Sequence, residues 1–287
     1  MTEPSAPALP KAPRELREQR LRRIGEGIGK VVYASEHWVV KRERSSLETA
    51  ALIVIYKLLR KAEPYLPASW SRRLLEKPSR RVRLMRVMMQ GAMLVTPKSV
   101  WWTEQVRDVW MQYQKRNVRG ERLVEQHLEG TGLVPERITF PPLRVRLMDW
   151  PGWLTVSEAT ERVEATLFQR LAELAQDEKW PEVELWLNRF MELRQKGWSM
   201  GLFSVDPHLK NFGVTGERIV LLDAGGVTNR WADIDRRLDF EDVVRQPHIQ
   251  LGLGPILGAC PDLAARFDRR WKDVVNRSVV RHHWPSR

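Results

Sequence analysis

A chain of 287 residues has room for one large domain or two closely associated ones, and 43% apolar residues support a real core. Its single cysteine, Cys260, excludes an internal disulfide and a cysteine-based metal site, and no apolar run approaches the length of a membrane span. The formal net charge of +12 favours anionic partners without choosing among nucleotides, phosphorylated substrates, nucleic acid and an anionic membrane face.

Residues 1–13 are rich in Pro, Ala and Ser and are expected to be disordered; they lack the basic start and apolar stretch of a signal peptide, so the cytoplasm is the expected compartment. The basic segment 14–23 reads as a short helix. Ile24-Gly25-Glu26-Gly27-Ile28-Gly29 then precedes a β-branched run, a turn at Ser35-Glu36 and a second apolar run ending on Lys41. Glycine lets a backbone approach phosphate closely, so two strands joined here are a candidate phosphate cover; an ordinary tight turn accounts for the glycines equally well. Ser45 and Glu48 have the spacing of a capping box opening a helix to about residue 60.

A basic run at residues 80–87 and the helical spacing of Val106, Val109, Trp110 and Tyr113 follow. Core packing with arginine stems over apolar surface is the first reading, and a membrane-surface or partner-binding helix is the second. Another helix carries Glu121 and Glu125 into Gly130-Thr131-Gly132. Residues 138–140 and 143–148 read as two strands separated by Pro141-Pro142, and the turn-rich 149–153 as a boundary. Beyond it, Thr155 and Glu158 read as a second capping box, with Val156, Ala159, Val163, Leu167, Leu171 and Leu174 on one helical stripe. A further helix opens at Pro181 and turns Val183, Trp186, Leu187, Phe190 and Met191 inward.

The stretch 202–228 concentrates the chemistry. Asp206 is followed by Asn211, and a β-hairpin with Thr215-Gly216 at its turn delivers Asp223 before Ala224-Gly225-Gly226. Two carboxylates and a carboxamide gathered at one hairpin edge suit phosphoryl transfer: one carboxylate orients a hydroxyl, and the other groups hold magnesium, which prefers oxygen ligands. Asp and Asn are also common turn formers, and that accounts for the same residues without catalysis. Asp233, Asp235, Asp239, Glu241 and Asp242 form a charged segment, and residues 261–274 read as a helix.

These motifs resemble the protein-kinase-like superfamily. Asp206 resembles the catalytic-loop Asp, Asn211 the metal-binding Asn and Asp223 the Asp of the Asp-x-Gly element, with Ala224 in its middle position and Gly225 as its Gly. His208 is similar to the Asp-x-His form of aminoglycoside and choline phosphotransferases. Gly25 and Gly27 match two glycines of the glycine-rich loop, Gly29 stands one residue before the third, and Lys41 matches the strand lysine. The resemblance implies an α+β, two-lobed protein-kinase-like fold. A small β-sheet lobe would span residues 14–150, with a helical insertion at about 45–118, and a mostly helical lobe would span 151–287.

It further implies ATP and Mg²⁺ as cofactors. Gly25, Gly27, Gly29 and Lys41 would serve the nucleotide, Asn211 and Asp223 the metal, and Asp206 and His208 catalysis. The glutamate that pairs with Lys41 would be Glu121, Glu48 or Glu125, with Glu121 preferred. The expected activity is ATP-dependent phosphoryl transfer to a hydroxyl acceptor, a small molecule or glycan; no Ala-Pro-Glu segment or long activation loop points to a regulated protein kinase. Two alternatives stand beside it: a non-catalytic, pseudokinase-like nucleotide-binding module, and a basic RNA- or membrane-surface-binding protein. The basic insertion is the candidate for peripheral membrane association, and no RNA-binding motif is recognisable.

Overall fold

The computed structural model describes residues 9–27, 29–46, 48, 49, 52, 104–149 and 152–285. Most of the expected disordered tail, most of the helix expected from Ser45, the basic run 80–87 and part of the turn at 149–153 lie outside the described residues. The described chain is mixed α/β, with a five-stranded sheet and nine helices among those residues. It groups into two compact units, residues 1–114 with 137–162 and residues 115–136 with 163–287. The chain thus changes unit at Arg162 and Val163 rather than near 150, and residues 115–136 group with the later part.

In the first unit, α1 (Arg14–Glu18) precedes β1 (Arg20–Glu26), β2 (Lys30–Ala34), β3 (Trp38–Glu43), β4 (Arg137–Leu147) and β5 (Trp153–Glu161). The basic segment is helical only as far as Glu18, because fully buried Leu16 and Leu21 draw α1 and then β1 onto one core. The strands close into a barrel in the order β1-β2-β3-β5-β4, antiparallel except where β1 meets β4. Tyr33, Val40, Phe140, Val145, Leu147 and Val156 fill it. Each such side chain contributes about 1.5–3 kcal/mol on burial.

Two expectations are corrected here. Residues 138–140 and 143–147 are parts of one strand, β4, which ends before Met148 and whose pairing with β5 slips between Thr139 and Leu143. Pro141 and Pro142 have no N–H to give the ladder, so they bulge the strand instead of ending it. The helix expected from Thr155 is instead β5, which pairs with β3 and β4. Half-buried Leu154 and buried Val156 alternate with exposed Trp153, Thr155 and Ser157, a period of two. The helix begins later, at α3 (Leu167–Gln176), where Thr166 and Gln169 form the capping box.

Helix α2 (Glu104–Leu128) contributes its residues from Lys115 onward to the second unit. There β6 (Ala165–Thr166), α3, α4 (Trp180–Ser199) and β7 (Phe203–Ser204) are followed by a single 3-10 turn, Leu209–Asn211. The hairpin β8 (Phe212–Thr215) and β9 (Arg218–Leu221) comes next, then β10 (Val227–Thr228). Five helices complete it: α5 (Trp231–Val243), α6 (Pro247–Gln250), α7 (Gly254–Leu257), α8 (Pro261–Val274) and α9 (Arg277–His283). The α4 stripe Val183, Trp186, Leu187, Phe190 and Met191 is buried, and Phe190 meets Phe212 edge-on at 4.9 Å and stacks with Trp271 at 6.1 Å. The helical core is thereby tied directly to the hairpin that carries the candidate site. No described helix is long and apolar enough to cross a membrane.

Candidate active site

Helix α4 ends at a left-handed residue, Gly201, at φ +72°. Leu202 N–H returns to the Gly197 carbonyl at 2.9 Å, a C-terminal cap that turns the chain into β7. β7 pairs antiparallel with β10, Ser204 opposite Val227 and Phe203 opposite Thr228, and Val205 N–H donates to Gly226 O at 2.9 Å. This register sets Asp206 beside Gly226. A Cβ on Gly226 would lie 2.9 Å from Asp206 Cβ and 3.1 Å from its nitrogen, so only glycine lets the two loops touch.

The loop from Asp206 to Asn211 folds around its own first carbonyl. Asp206 O accepts from Ser204 Oγ and from Asn211 Nδ2, both at 3.2 Å. The Asp206 carboxylate is left outside that knot, 42% exposed, with His208 Nε2 3.8 Å from Oδ1. Because Asn211 spends its NH₂ on a carbonyl, its Oδ1, the atom a hard cation takes, points elsewhere. Leu222 N–H donates to Asn211 O at 2.8 Å, which holds Asn211 against the residue preceding Asp223. Asp223 Oδ1 accepts from Gly225 N–H at 2.9 Å, an Asx-type turn that fixes the carboxylate and leaves Oδ2 outside that bond. Asp206, His208, Asn211 and Asp223 are thus carried on adjoining segments of this unit, linked by the Val205–Gly226 and Leu222–Asn211 bonds. Asp206, His208 and Asp223 do not form a three-ligand group; among the described residues the one such group of His, Cys, Asp or Glu is Glu15, Glu36 and His37 in the first unit.

Helix α2 backs the Asp223 loop. A Cβ on Gly120 would fall inside the van der Waals shell of Ala224 O, 3.1 Å from Ala224 C and 3.2 Å from Val227 O. Arg116 Nε donates to Gly225 O at 2.9 Å, and Arg119 Nη2 to Asn229 Oδ1 at 2.6 Å. Buried Asn117 sets its Oδ1 where a Gly225 side chain would begin. None of these four positions stands out in the sequence. The single available signal is a glycine inside a helical pattern, which asks for a packing reason. Glu121 and Glu125 follow on the same helix, within the second unit. Lys210, between His208 and Asn211, has Nζ 5.1 Å from the Phe168 ring, and partial burial holds its ammonium below the usual lysine range.

In the first unit the glycine segment turns between β1 and β2. Gly27 N–H donates to Lys30 O at 2.8 Å; Arg44 N–H donates to Gly29 O at 2.8 Å and its Nε to Gly27 O at 3.1 Å. Arg44 Nη2 also binds Glu26 Oε2 at 2.9 Å, so one buried arginine braces the whole turn. A Cβ on Gly29 would lie 2.6 Å from Tyr113 Oη, so that ring would have to move aside, whereas Gly25 and Gly27 have ordinary clearance. Gly25 pairs with Val32 and Val32 with Lys41, so the three share one sheet face, Lys41 at its exposed end. Glu48 is held by Arg42, at 3.2 and 3.3 Å, and by Ser45 N–H at 2.8 Å, while Ser45 Oγ caps Glu48 N–H. Burial raises the Glu48 pKa, but the Arg42 and Ser45 hydrogen bonds prevail and hold it below the usual range.

Comparisons with protein-family models, with curated proteins and with solved structures give no match to this chain.

Proposed function

We propose that the chain is an ATP- and magnesium-dependent phosphotransferase with a two-lobed, protein-kinase-like arrangement, acting on a hydroxyl of a small molecule or glycan. The observation that carries this reading is the β7–β10 register with Gly226 against Asp206, together with the Leu222-to-Asn211 bond. These join the three oxygen-bearing side chains through short backbone links on adjacent loops. Such links leave few soft torsions between the groups, which suits a reaction whose catalysis is mainly positioning and charge stabilisation.

In this reading Asn211 Oδ1 and Asp223 hold magnesium, whose role when bound is to neutralise charge on the phosphates. Asp206, exposed and turned away from its own backbone knot, orients the acceptor hydroxyl and takes its proton. His208 shapes that approach or touches phosphate. Lys41 and the braced glycine turn serve the non-transferred phosphates, and Glu121, Glu48 or Glu125 orients the lysine. The test is Asp206→Asn (D206N) against wild type in a transfer screen over sugars, aminoglycosides, lipids and proteins. Mg·ATP binding should persist while transfer falls by about 10²–10⁴-fold, the usual weight of a general base. Undiminished transfer would remove Asp206 from the mechanism. A nucleotide-binding module without turnover is the second reading, favoured by the Gly29–Tyr113 packing at the glycine turn. Binding of Mg·ATP by wild type with no hydrolysis and no transfer would select it.

A further inference from the structure

In the first unit, β1 runs parallel to β4 with Arg20 opposite Arg146, and β4 runs antiparallel to β5 with Arg146 opposite Trp153. Leu21, Val145 and Leu147 are buried between them, so strand alternation turns Arg20, Arg22, Arg144 and Arg146 outward, and all four are exposed. Among the described residues none of the four forms an ion pair or a side-chain hydrogen bond. Two carboxylates beside these strands are already engaged, Asp149 by Arg23 at 3.3 Å and Glu158 by Arg137. Arg144 instead lays its guanidinium over the Trp153 ring, Cζ 3.9 Å from the centroid. Trp153 is 48% exposed, and Met148, whose N–H donates to Leu21 O at the end of the same seam, is 63% exposed.

Like charges directly opposite on neighbouring strands repel, and protein surfaces ordinarily relieve this by interspersing carboxylates. Two positions along a strand span ~7 Å and one strand across spans ~5 Å, so Arg22, Arg144 and Arg146 all stand within about one Debye length of Arg20. A partner therefore meets one concentrated cationic site. We propose that this face of β1, β4 and β5 docks on an anionic phospholipid surface, its arginines meeting the headgroups while Trp153 and Met148 enter the interface. A single strand of nucleic acid stacks its bases on free aromatic faces, and here Arg144 covers the Trp153 ring. A bilayer asks instead for cations beside exposed apolar groups at headgroup level, and Trp153 and Met148 supply them. The face lies on strands outside the basic insertion expected to serve a membrane, and it does not rest on the phosphotransferase reading.

The test is co-sedimentation of the full chain with vesicles of phosphatidylcholine carrying about 30% phosphatidylserine, and with phosphatidylcholine alone. Wild type should sediment with the anionic vesicles only and be released at high salt. An arginine near such a surface is worth about fivefold in partition, so the double variant Arg20→Gln with Arg146→Gln should bind about 25-fold more weakly. It should also melt higher than wild type, because the two opposed charges are gone. Arg236→Gln with Arg269→Gln removes the same charge from exposed positions of the second unit and should bind within about twofold of wild type. Trp153→Ser keeps every charge and should still weaken binding several-fold. No binding of folded wild type to anionic vesicles, equal losses in the two double variants, or an unchanged Trp153→Ser each overturns the proposal. Arginine-dependent capture of a uridine oligonucleotide without vesicle binding overturns it in favour of nucleic acid. If the Arg20–Arg146 double variant does not fold, Arg22→Gln with Arg144→Gln takes its place.

Discussion

Gly120→Ala adds one methyl group at the place where α2 meets the Asp223 loop. The new carbon would overlap Ala224 O and crowd Ala224 C and Val227 O, all backbone atoms that no rotamer change can move aside. Overpacking of this kind costs about 1–3 kcal/mol. Replacing a helical glycine by alanine returns about 1 kcal/mol, so the net loss of stability should be only ~0–2 kcal/mol. Relief of the overlap requires the loop to retreat by about an ångström, and a misplacement of that size costs on the order of 10²-fold in catalysis. Function should therefore fall much further than stability. Denaturant unfolding would measure the first effect, and Mg·ATP binding with hydrolysis the second. Val118→Ala, at an exposed position on the same helix, serves as the control and should change stability by no more than about 0.5 kcal/mol. A Gly120→Ala protein with wild-type nucleotide affinity and turnover would refute the idea that α2 positions the Asp223 loop.

Phe190→Ala should lower stability by about 3–5 kcal/mol, because a fully buried ring touching both Phe212 and Trp271 leaves a cavity between helix and hairpin; denaturant titration showing under about 1 kcal/mol would contradict this packing account. The Glu15–His37 pair gives a pH signature. The hydrogen bond from His37 to Glu15, and then the charge of Glu15, raise the His37 pKa. Burial pushes the Glu15 carboxyl up, but the His37 hydrogen bonds outweigh it and leave a net lowering. A raised histidine contributes its stability in full below its unfolded value near about 6.5 and loses it as pH climbs through the folded one. His37→Gln should therefore lower Tm more at about pH 5.5 than at about pH 8.5. A Tm difference that does not change with pH would show that the ion pair is not the source.

The hairpin at β8 and β9 is legible in the sequence because everything that makes it is local, two short apolar runs and a glycine at the reversal, but the turn falls on Gly216-Glu217, with Gly216 at φ +56°, while Thr215 stays in β8 opposite Arg218. β5 is not, since Val156, Ala159 and Val163 happen to fall at helical spacing, and the choice is made by pairing with β3 and β4. The Pro141-Pro142 bulge is hidden for the same reason, as a proline's effect depends on whether a partner strand lies opposite. Within the site, Asp206, Asn211 and Asp223 announce themselves by residue type and spacing. Gly120 does not, because its necessity comes from the Ala224 carbonyl about a hundred positions away in the chain. Nothing in the sequence marks Arg194 as buried. Its burial follows from Phe203 and Trp271, which arrive from other elements.

The closed sheet of the first unit leaves each of its five strands flanked on both sides. Closure leaves fewer main-chain donors and acceptors open to a foreign strand than an open sheet would, and that narrows the commonest route to sheet-to-sheet aggregation. The protection hangs on two narrow seams: β1 meets β4 at Arg20 with Arg146 and Leu21 with Leu147, and β3 meets β5 at Trp38 with Glu161 and Val39 with Thr160. Loosening the chain around Leu21 would unzip one of these seams and turn a closed surface into one with two adhesive borders.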